Sequence, residues 1–308
     1  GWKYRASRCG LRPAVSRSLV IDCFAGAIQP SNGDHMSMFF RWLVFGLVAL
    51  LFNFPLISTL LTSLKSEGEI VSNPSIVIQS PTFANYVKIF EMADRFDILH
   101  FLWNSFVISA LGAFFALLLA FPAAYVIVRT GLGRNWLLPF VLNLRALPLI
   151  IFAIPLYMMF QAVGLLDTLF GLALIMCIIN LPLTLALLSS TLRNIPEELD
   201  DAARVDGAST LSIILRIILP LSVAAIASST VLGFVYAWNE FLFGLMLTTK
   251  SATPITVGAS FFFSASGGGV KWGVASAVII LSLLPPLAVG LLFYRSIGSS
   301  LTGGAIKG

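Results

Sequence analysis

Six long runs of apolar residues decide what this chain can fold into. A helix needs about 20 consecutive apolar residues to cross the hydrocarbon core of a bilayer, and about six runs meet that length. The pattern therefore predicts an all-α membrane protein whose transmembrane helices follow one another along the chain. The predicted spans are 39–62, 101–128, 137–160, 168–191, 217–240 and 273–295.

The composition supports this fold class. The chain has 308 residues, of which 58% are hydrophobic and only 11% are charged, and its mean hydropathy is +0.94. Soluble globular proteins are typically about 25% charged, so this chain has too few charged groups to cover a surface that faces water. The composition excludes an ordinary soluble enzyme, a disordered chain and a small disulfide-linked protein.

The first 37 residues differ from the rest of the chain. They contain five basic residues but neither a long apolar run nor a clear signal peptide. We predict that residues 1–37 are a disordered or non-native extension, with a targeting arm as the alternative, and that residues 38–308 form one transmembrane domain. Cys9, Cys23 and Cys177 are isolated in the sequence, so they predict neither a disulfide framework nor a metal site.

The basic residues between the spans predict the orientation. If the chain threads the bilayer alternately, eight Lys and Arg residues fall on one side and five on the other. By the positive-inside rule the richer side is cytoplasmic, which places both termini and the loop 193–220 in the cytoplasm. There is no basic stripe of the kind that binds nucleic acid, so we expect no nucleic-acid partner. The eight residues are Arg41, Arg129, Arg134, Arg193, Arg204, Arg216, Arg295 and Lys307.

The cytoplasmic loop 193–220 contains the start of a short helix. Asn194 followed by Glu197 is a variant of the capping box, and Pro196 suits the first turn of a helix because its missing N–H is not needed there. The apolar residues after this start recur with helical spacing, which predicts one apolar face. That face consists of Ile195, Leu199, Ala202 and Ala203.

The same loop also contains a helix end and a second helix start. Gly207 can adopt the left-handed conformation that ends a helix. Ser209 can cap the next helix, which runs to Leu219 and Pro220 at the entrance of the fifth span. Helix physics alone favours a plain capped surface helix between two spans.

The full pattern of this loop resembles the EAA loop of ABC importer permeases. Asp201, Ala202 and Ala203 occupy the acid-Ala-Ala positions, and Gly207 follows six residues after the acid. The stretch Ile217-x-Leu219-Pro220 closes the motif. The departure is Asp201 in place of the usual Glu, which keeps the charge on a shorter side chain.

The resemblance covers nearly all of residues 38–308 and extends to the carbohydrate-uptake branch, in particular to its second, maltose-type permease. Four further segments are similar to this branch, although Ser300 stands where a Gly is common. These segments are Pro81-Thr82-Phe83-Ala84-Asn85-Tyr86, Asn104-Ser105, Trp238-Asn239-Glu240-Phe241, and Leu301-Thr302-Gly303-Gly304-Ala305-Ile306-Lys307-Gly308.

The resemblance implies a fold, a mechanism and a set of partners. The fold would be that of a type I ABC importer permease with a cytoplasmic coupling helix, in the inner membrane of a prokaryote. The partners would be a second homologous permease in a heterodimer, a cytoplasmic ATPase dimer that binds ATP, an extracytoplasmic solute-binding protein, and a sugar. The residues expected to couple to the ATPase are Glu197, Glu198, Asp201, Ala202, Ala203, Asp206, Gly207 and Pro220.

Polar residues within the predicted spans are candidates for the translocation path. Arg145 is the clearest, because an arginine within a span faces the bundle interior or a cavity by default, although an interfacial residue or a structural ion pair is an equal alternative. The amide side chains can also serve in packing between helices, the aromatic residues can belong to the interfacial belt, and Glu240 can organise the loop beside it. The candidates are Asn143, Arg145, Gln161, Asn180, Tyr236, Trp238, Asn239 and Glu240.

Several chemistries are missing from the sequence. There is no P-loop motif, no H-E-x-x-H motif and no G-x-S-x-G nucleophile elbow, so we expect a protein that is not an enzyme and has no cofactor or metal of its own. Competing hypotheses are an ABC permease for another solute class, a secondary transporter, which more often shows inverted repeats and ionisable residues at the midplane, and a membrane scaffold without a transport role. The W-N-E-F and C-terminal matches favour the sugar permease.

Overall fold

The structure is a computed structural model that describes residues 32–73, 75–92, 96–263 and 270–294. The described residues are mostly helical and contain no strand. Residues 1–31 of the predicted extension lie outside the described residues, and so does the C-terminal motif 301–308. The helices are α1 (Asn32–Ser63), α2 (Glu67–Ser72), α3 (Ala84–Glu91), α4 (Ile98–Thr130), α5 (Leu137–Asn143), α6 (Ile150–Ala162), α7 (Leu169–Arg193), α8 (Glu198–Val205), α9 (Thr210–Leu221), α10 (Val223–Trp238), α11 (Leu242–Leu247), α12 (Ile255–Ser260) and α13 (Trp272–Leu292).

Four of these helices are long and apolar enough to cross a membrane without a break, namely α1, α4, α7 and α13. They correspond to four of the six predicted spans. Of the described residues, 32–57 belong to one compact unit, which contains most of α1. Residues from Ser58 onward form a second unit, which contains all the other helices.

The third predicted span, 137–160, is not one helix, so this prediction is corrected. After α5 the chain makes a single 3-10 turn at Leu144–Ala146, then extends at Leu147 and enters α6 at Ile150. The physical reason is Pro148, because a proline pushes the residue before it out of the helical region. A proline does not always have this effect, because Pro155 and Pro182 lie inside continuous helices.

The fifth predicted span, 217–240, is also corrected. Helices α9 and α10 meet at Ser222 with a bend of 76°, so only α10 continues the direction of a span. The middle of α9 is a π-helical turn at Ile214–Ile218, directly before Pro220. Since proline lacks an N–H and collides with the carbonyl four residues earlier, it disturbs the helix at this point.

The packing of α4 against α7 forms the centre of the second unit. The small residues Gly112, Ala116, Ala120 and Ala124 recur every four residues along α4 and are all buried. A side chain added at Gly112 would collide with Met176 of α7. Small residues at this spacing let two helices approach closely inside a membrane, so α4 and α7 form a tightly packed pair.

The segment between α1 and α4 contains α2 and α3. The Asn85 side chain on α3 donates hydrogen bonds to the backbone carbonyls of Ser63 and Lys65, at 2.9 and 2.7 Å. The Tyr86 hydroxyl lies 2.8 Å from the Ser63 hydroxyl. Asn85 and Tyr86 therefore hold α3 against the end of α1.

Candidate coupling site and translocation cavity

The short helix α8 begins later than the sequence predicts. It starts at Glu198, and Pro196 lies outside it. The Asn194 side chain donates a hydrogen bond to the Ser190 carbonyl at 3.1 Å, so Asn194 closes α7 and does not cap α8. The capping prediction was wrong because Asn194 keeps helical dihedral angles, φ −88° and ψ −9°.

The end of α8 and the start of α9 confirm the other two local predictions. Gly207 has φ +80°, the left-handed conformation that ends a helix without strain only at glycine. The Ser209 hydroxyl accepts a hydrogen bond from the Ser212 N–H at 3.3 Å and caps α9. The loop is therefore a helix, a glycine turn and a second helix.

The face of α8 that packs on the protein is not the predicted apolar face. Ala203 is buried, but Leu199 and Ala202 are exposed. The residue that points inward with Ala203 is Asp200, which is 1% exposed. The inward side of α8 therefore carries an acid where the sequence predicted only apolar residues.

Asp200 forms a buried ion pair with Arg129 at the end of α4. The Arg129 Nε and Nη2 atoms donate to the two Asp200 carboxylate oxygens at 3.1 and 3.3 Å. The Tyr125 hydroxyl donates to the same carboxylate at 2.8 Å. The side chains of Arg129 and Asp200 are only 5% and 2% exposed. We call these three residues, Tyr125, Arg129 and Asp200, the coupling-helix anchor.

The anchor joins three helices. Arg129 Nη1 also donates to the Ile195 carbonyl at 3.0 Å, in the turn that follows α7. Removing one partner of a buried ion pair costs about 3–5 kcal/mol because the other charge is left without compensation. The position of α8 is thus fixed to the ends of α4 and α7 by charge as well as by packing.

Sequence reasoning missed this anchor. Tyr125 and Arg129 lie four residues apart on α4, which puts them on one helix face, and this spacing was the available signal. The choice between Asp200 and Asp201 depends on the exact start of α8, which the sequence did not reveal.

Most of the expected coupling residues lie on the outer side of α8. Glu197, Glu198, Asp201, Ala202, Asp206, Gly207 and Pro220 are exposed, and Ala203 is buried. Arg204 Nη1 pairs with Asp201 Oδ1 at 3.0 Å, one turn along the exposed surface of α8. Arg129 Nη1 lies 3.9 Å from Glu197 Oε1. Val205 on the same helix is 88% exposed, so apolar surface and carboxylates lie together there.

A cavity of about 210 Å³ lies beside the break between α5 and α6. Two of the expected path residues line it, Arg145 and Tyr236, and the guanidinium carbon of Arg145 lies 5.4 Å from the centre of the Tyr236 ring. Such a contact contributes about 0.5–2 kcal/mol, whereas an arginine at the centre of a span costs roughly 2.5–3.5 kcal/mol. The ring therefore offsets only part of the cost of Arg145.

The other expected path residues do not line this cavity. Asn180 is buried between α7 and α10, where its amide donates to the Gly233 carbonyl at 3.1 Å. Trp238 is buried and donates to the Ser282 carbonyl at 3.2 Å. Asn143, Gln161 and Asn239 are exposed, and the Asn239 amide donates to the Val235 carbonyl at 2.7 Å.

Glu240 organises the chain that follows α10. Its carboxylate accepts hydrogen bonds from the backbone N–H groups of Phe243 and Gly244 at 3.1 and 3.2 Å. These N–H groups belong to the first turn of α11, where an acidic group is favourable. The sequence left two roles open for Glu240, in the translocation path or in organising the loop beside it, and its contacts are those of a residue that orients the loop.

The segment 249–253, between α11 and α12, is held from two sides. The Asp167 carboxylate accepts hydrogen bonds from the four backbone N–H groups of residues 249–252, at 2.9–3.2 Å. The Asn104 amide donates to the carbonyls of Ser251 and Thr253, both at 3.0 Å. We call Asp167, Asn104 and the segment 249–253 the loop clamp.

The loop clamp stabilises the charged form of Asp167. Partial burial raises the pKa of this carboxyl, but the backbone N–H groups of residues 249–252 outweigh that effect and hold the pKa well below its usual range. Asp167 also has φ +54°, a left-handed conformation that Asp and Asn tolerate better than most residues. The sequence analysis did not single out Asp167.

Among known proteins, a family model described as the inner membrane component of binding-protein-dependent transport systems matches residues 112–303. The chain is 34% identical to the trehalose/maltose transport system permease protein of Thermococcus litoralis, over 85% of this chain and 94% of that protein. It is 30% identical to the sulfoquinovosyl glycerol transport system permease protein of Agrobacterium fabrum, over 83% and 89% of the two chains.

Solved structures share the fold. A chain of a bacterial ABC transporter involved in the import of the acidic polysaccharide alginate superimposes with a TM-score of 0.71, covering 87% of this chain and 98% of its own length. A chain of the methionine ABC transporter in an inward-facing conformation superimposes with a TM-score of 0.52. The match covers 66% of this chain and 95% of that chain. The sequence identities are 20% and 16%, so these two likenesses establish the fold of a type I ABC importer permease and no more.

Proposed function

Because the chain belongs to the family of inner membrane components of binding-protein-dependent transport systems, we propose that it is one permease subunit of an ATP-driven sugar importer. It forms half of the translocation pathway, and a second, homologous permease forms the other half. ATP is bound and hydrolysed by a separate ATPase dimer, so this chain acts as a transport protein without a cofactor of its own.

A sugar is the substrate class that the relatives support. Two permeases that are at least 30% identical to this chain are named for sulfoquinovosyl glycerol and for trehalose and maltose. The Trp238-Asn239-Glu240-Phe241 segment supports the same branch of the family.

The observation that carries the coupling role is the way α8 is held. One side of α8 is fixed to α4 and α7 by the buried pair of Arg129 and Asp200. The other side presents carboxylates and exposed apolar surface, including Val205. A helix that must pass on a movement needs both features, a rigid attachment on one side and a contact surface on the other.

The mechanism follows from this attachment. When the ATPase dimer closes on ATP, it moves the exposed side of α8. Because the coupling-helix anchor joins α8 to the ends of α4 and α7, these two helices move with it. The tight packing of α4 on α7 through small residues makes the pair behave as one body, so the movement reaches the cavity beside Arg145.

The topology and the remaining partners complete the proposal. Both termini and the loop 193–220 lie in the cytoplasm, and the loop clamp lies on the opposite side of the membrane. An extracytoplasmic solute-binding protein delivers the sugar on that side; one matched structure of the alginate transporter is in complex with an alginate-bound periplasmic protein. Residues Glu197, Glu198, Asp201, Ala202, Asp206 and Gly207 contact the ATPase.

The test is affinity purification of the tagged chain from its native membrane in mild detergent, followed by mass spectrometry. We expect an ATPase, a second permease and a binding protein to be recovered with it. Ala202→Arg places a long side chain on the exposed side of α8 and should remove the ATPase while leaving the second permease. Ser80→Arg, at an exposed position in the segment between α2 and α3, is the matched control and should leave both.

Two results would contradict the proposal. If the chain is recovered alone or only as a homo-oligomer, it is not an ABC permease subunit, and a secondary transporter becomes the better explanation. If Ala202→Arg retains the ATPase at the control level, α8 is not the contact surface.

A further inference from the structure

Arg145 lies between two apolar clusters. One cluster contains Val141 of α5, four residues before Arg145, together with the end of α4 and the end of α7. The other cluster contains Leu149, four residues after Arg145, together with the start of α7 and Phe243 of α11. Because the two clusters include opposite ends of α7, the segment that carries Arg145 runs from one end of the bundle toward the other.

The guanidinium group has no anionic partner within the described residues. Arg145 takes part in no ion pair and no hydrogen bond there, and its contact with the Tyr236 ring is a cation–π contact at 5.4 Å. The Tyr236 hydroxyl likewise has no hydrogen-bond partner in this part of the chain. The two polar groups of the cavity are therefore both available to a ligand.

The cavity offers donors and very few acceptors. Of the eleven residues that line it, nine are apolar, and the remaining two are Arg145 and Tyr236. Arginine has five N–H donors and no acceptor, so the Tyr236 oxygen is the single side-chain acceptor. A neutral sugar needs acceptors for its many hydroxyl protons, whereas a carboxylate or sulfonate group accepts hydrogen bonds only and pairs strongly with arginine.

The backbone beside the cavity is irregular. Leu144, at the end of α5, and Leu149, directly before the first turn of α6, both line the cavity. Irregular backbone at membrane depth occurs where it lines a cavity, and residues 144–149 form such a break.

We propose that this cavity binds the anionic group of an acidic sugar, with Arg145 pairing with its carboxylate or sulfonate. Tyr236 holds the guanidinium group in position with its ring and donates its hydroxyl proton to the ligand. This inference rests on the proposed function, because it assumes that the cavity lies on a sugar path. It narrows the substrate from sugars in general to sugars that carry a negative charge.

The experiment is uptake by proteoliposomes that contain the complete transporter purified from its native membrane, with its binding protein outside and ATP inside. The probes are radiolabelled digalacturonate, a sulfonated glycoside and neutral maltose. We expect uptake of at least one of the two acidic probes and none of maltose. The probe that is accepted distinguishes a carboxylate from a sulfonate ligand.

Variants then assign the effect to Arg145. Arg145→Gln should lower uptake of the acidic probe at least tenfold, and Arg145→Lys, which keeps the charge, should retain part of it. Tyr236→Phe keeps the ring but not the hydroxyl and should raise the KM with a smaller effect on kcat. Arg134→Gln removes an exposed arginine from the loop before α5 and should leave uptake unchanged. A fluorescent tag measures the amount of each variant that is assembled with the ATPase.

The outcomes separate the inference from the function on which it rests. Uptake of maltose alone, or uptake of an acidic probe that Arg145→Gln leaves unchanged in an assembled complex, overturns the anionic site while the sugar importer stands. If an assembled complex hydrolyses ATP but takes up no probe of either class, both the inference and the sugar substrate are overturned.

Discussion

The coupling-helix anchor and the loop clamp both depend on one aspartate, but the two aspartates are held in different ways. Asp200 is buried and is neutralised by a guanidinium group and a tyrosine hydroxyl. Asp167 is only partly buried and receives backbone N–H groups from a single short segment. The first links helix to helix, and the second links loop to loop.

The difference follows from what each aspartate has to hold. A buried ion pair fixes the direction of two side chains and is strongly weakened if either partner is lost, which suits a helix that must move together with its neighbours. Backbone N–H groups around a carboxylate fix the shape of a loop without a second charge. The two ends of the molecule are therefore rigid for different physical reasons.

The largest effect should come from breaking the anchor. Asp200→Ala leaves Arg129 buried without a counter-charge, so we expect the free energy of unfolding to fall by about 3–5 kcal/mol and sugar uptake to fall more than tenfold. Thermal unfolding in detergent and proteoliposome uptake measure the two effects. Asp206→Asn, which removes an exposed carboxylate at the end of the same helix, is the control for stability and should change it by less than about 0.5 kcal/mol.

A double variant tests whether the charge itself is needed for stability. Arg129→Met with Asp200→Leu removes both charges, and replacing a buried ion pair with apolar residues is often neutral for stability. We expect most of the lost stability to return while coupling of ATP hydrolysis to uptake remains impaired. If uptake also returns in full, the anchor serves stability alone.

Breaking the loop clamp should have a smaller effect. Asp167→Asn keeps the side-chain shape and tolerates the positive φ, but it removes the charge, so we expect a loss of about 1–2 kcal/mol. The loss should be concentrated at the segment 249–253, which limited proteolysis can detect as faster cleavage there. An unchanged cleavage rate would show that Asn104 holds the segment without Asp167.

The pH dependence of the clamp sharpens the comparison further. The pKa of Asp167 is held below its ordinary value of about 4, so its contribution to stability is fully present above that value and is lost as the pH falls through the lower, folded-state pKa. We expect the difference in stability between the wild type and Asp167→Asn to be constant from about pH 7 to pH 5 and to shrink below about pH 4. A difference that shrinks near neutral pH would contradict the assigned pKa shift.

The smallest effect concerns the two predicted helix caps of the coupling loop. Ser209→Ala removes a cap and should cost about 1 kcal/mol. Asn194→Ala removes only an exposed hydrogen bond to the Ser190 carbonyl, and we expect a change below about 0.5 kcal/mol. Equal losses in the two variants would mean that Asn194 stabilises α8 after all.

The sequence was informative mainly where the signal is local, although the local capping signal at Asn194 was misleading. Apolar runs predicted the four unbroken spans, and Gly207 and Ser209 predicted the turn after α8, because backbone conformation and capping depend on neighbouring residues. The anchor and the clamp depend on pairs that are distant in sequence, such as Arg129 with Asp200 and Asp167 with Lys250. No local rule connects such residues, so the sequence did not reveal that Asp200, and not an apolar residue, lies on the inward side of α8.

The broken third span has a consequence for how the protein is made. Helices α5 and α6 have 7 and 13 residues, and neither is long enough to be recognised alone as a membrane segment during translation. We therefore expect the whole stretch 137–160 to enter the bilayer as one hydrophobic unit that carries Arg145 with it. Insertion would then depend on the average hydrophobicity of this stretch, whereas the cavity beside Arg145 depends on the break that separates α5 from α6.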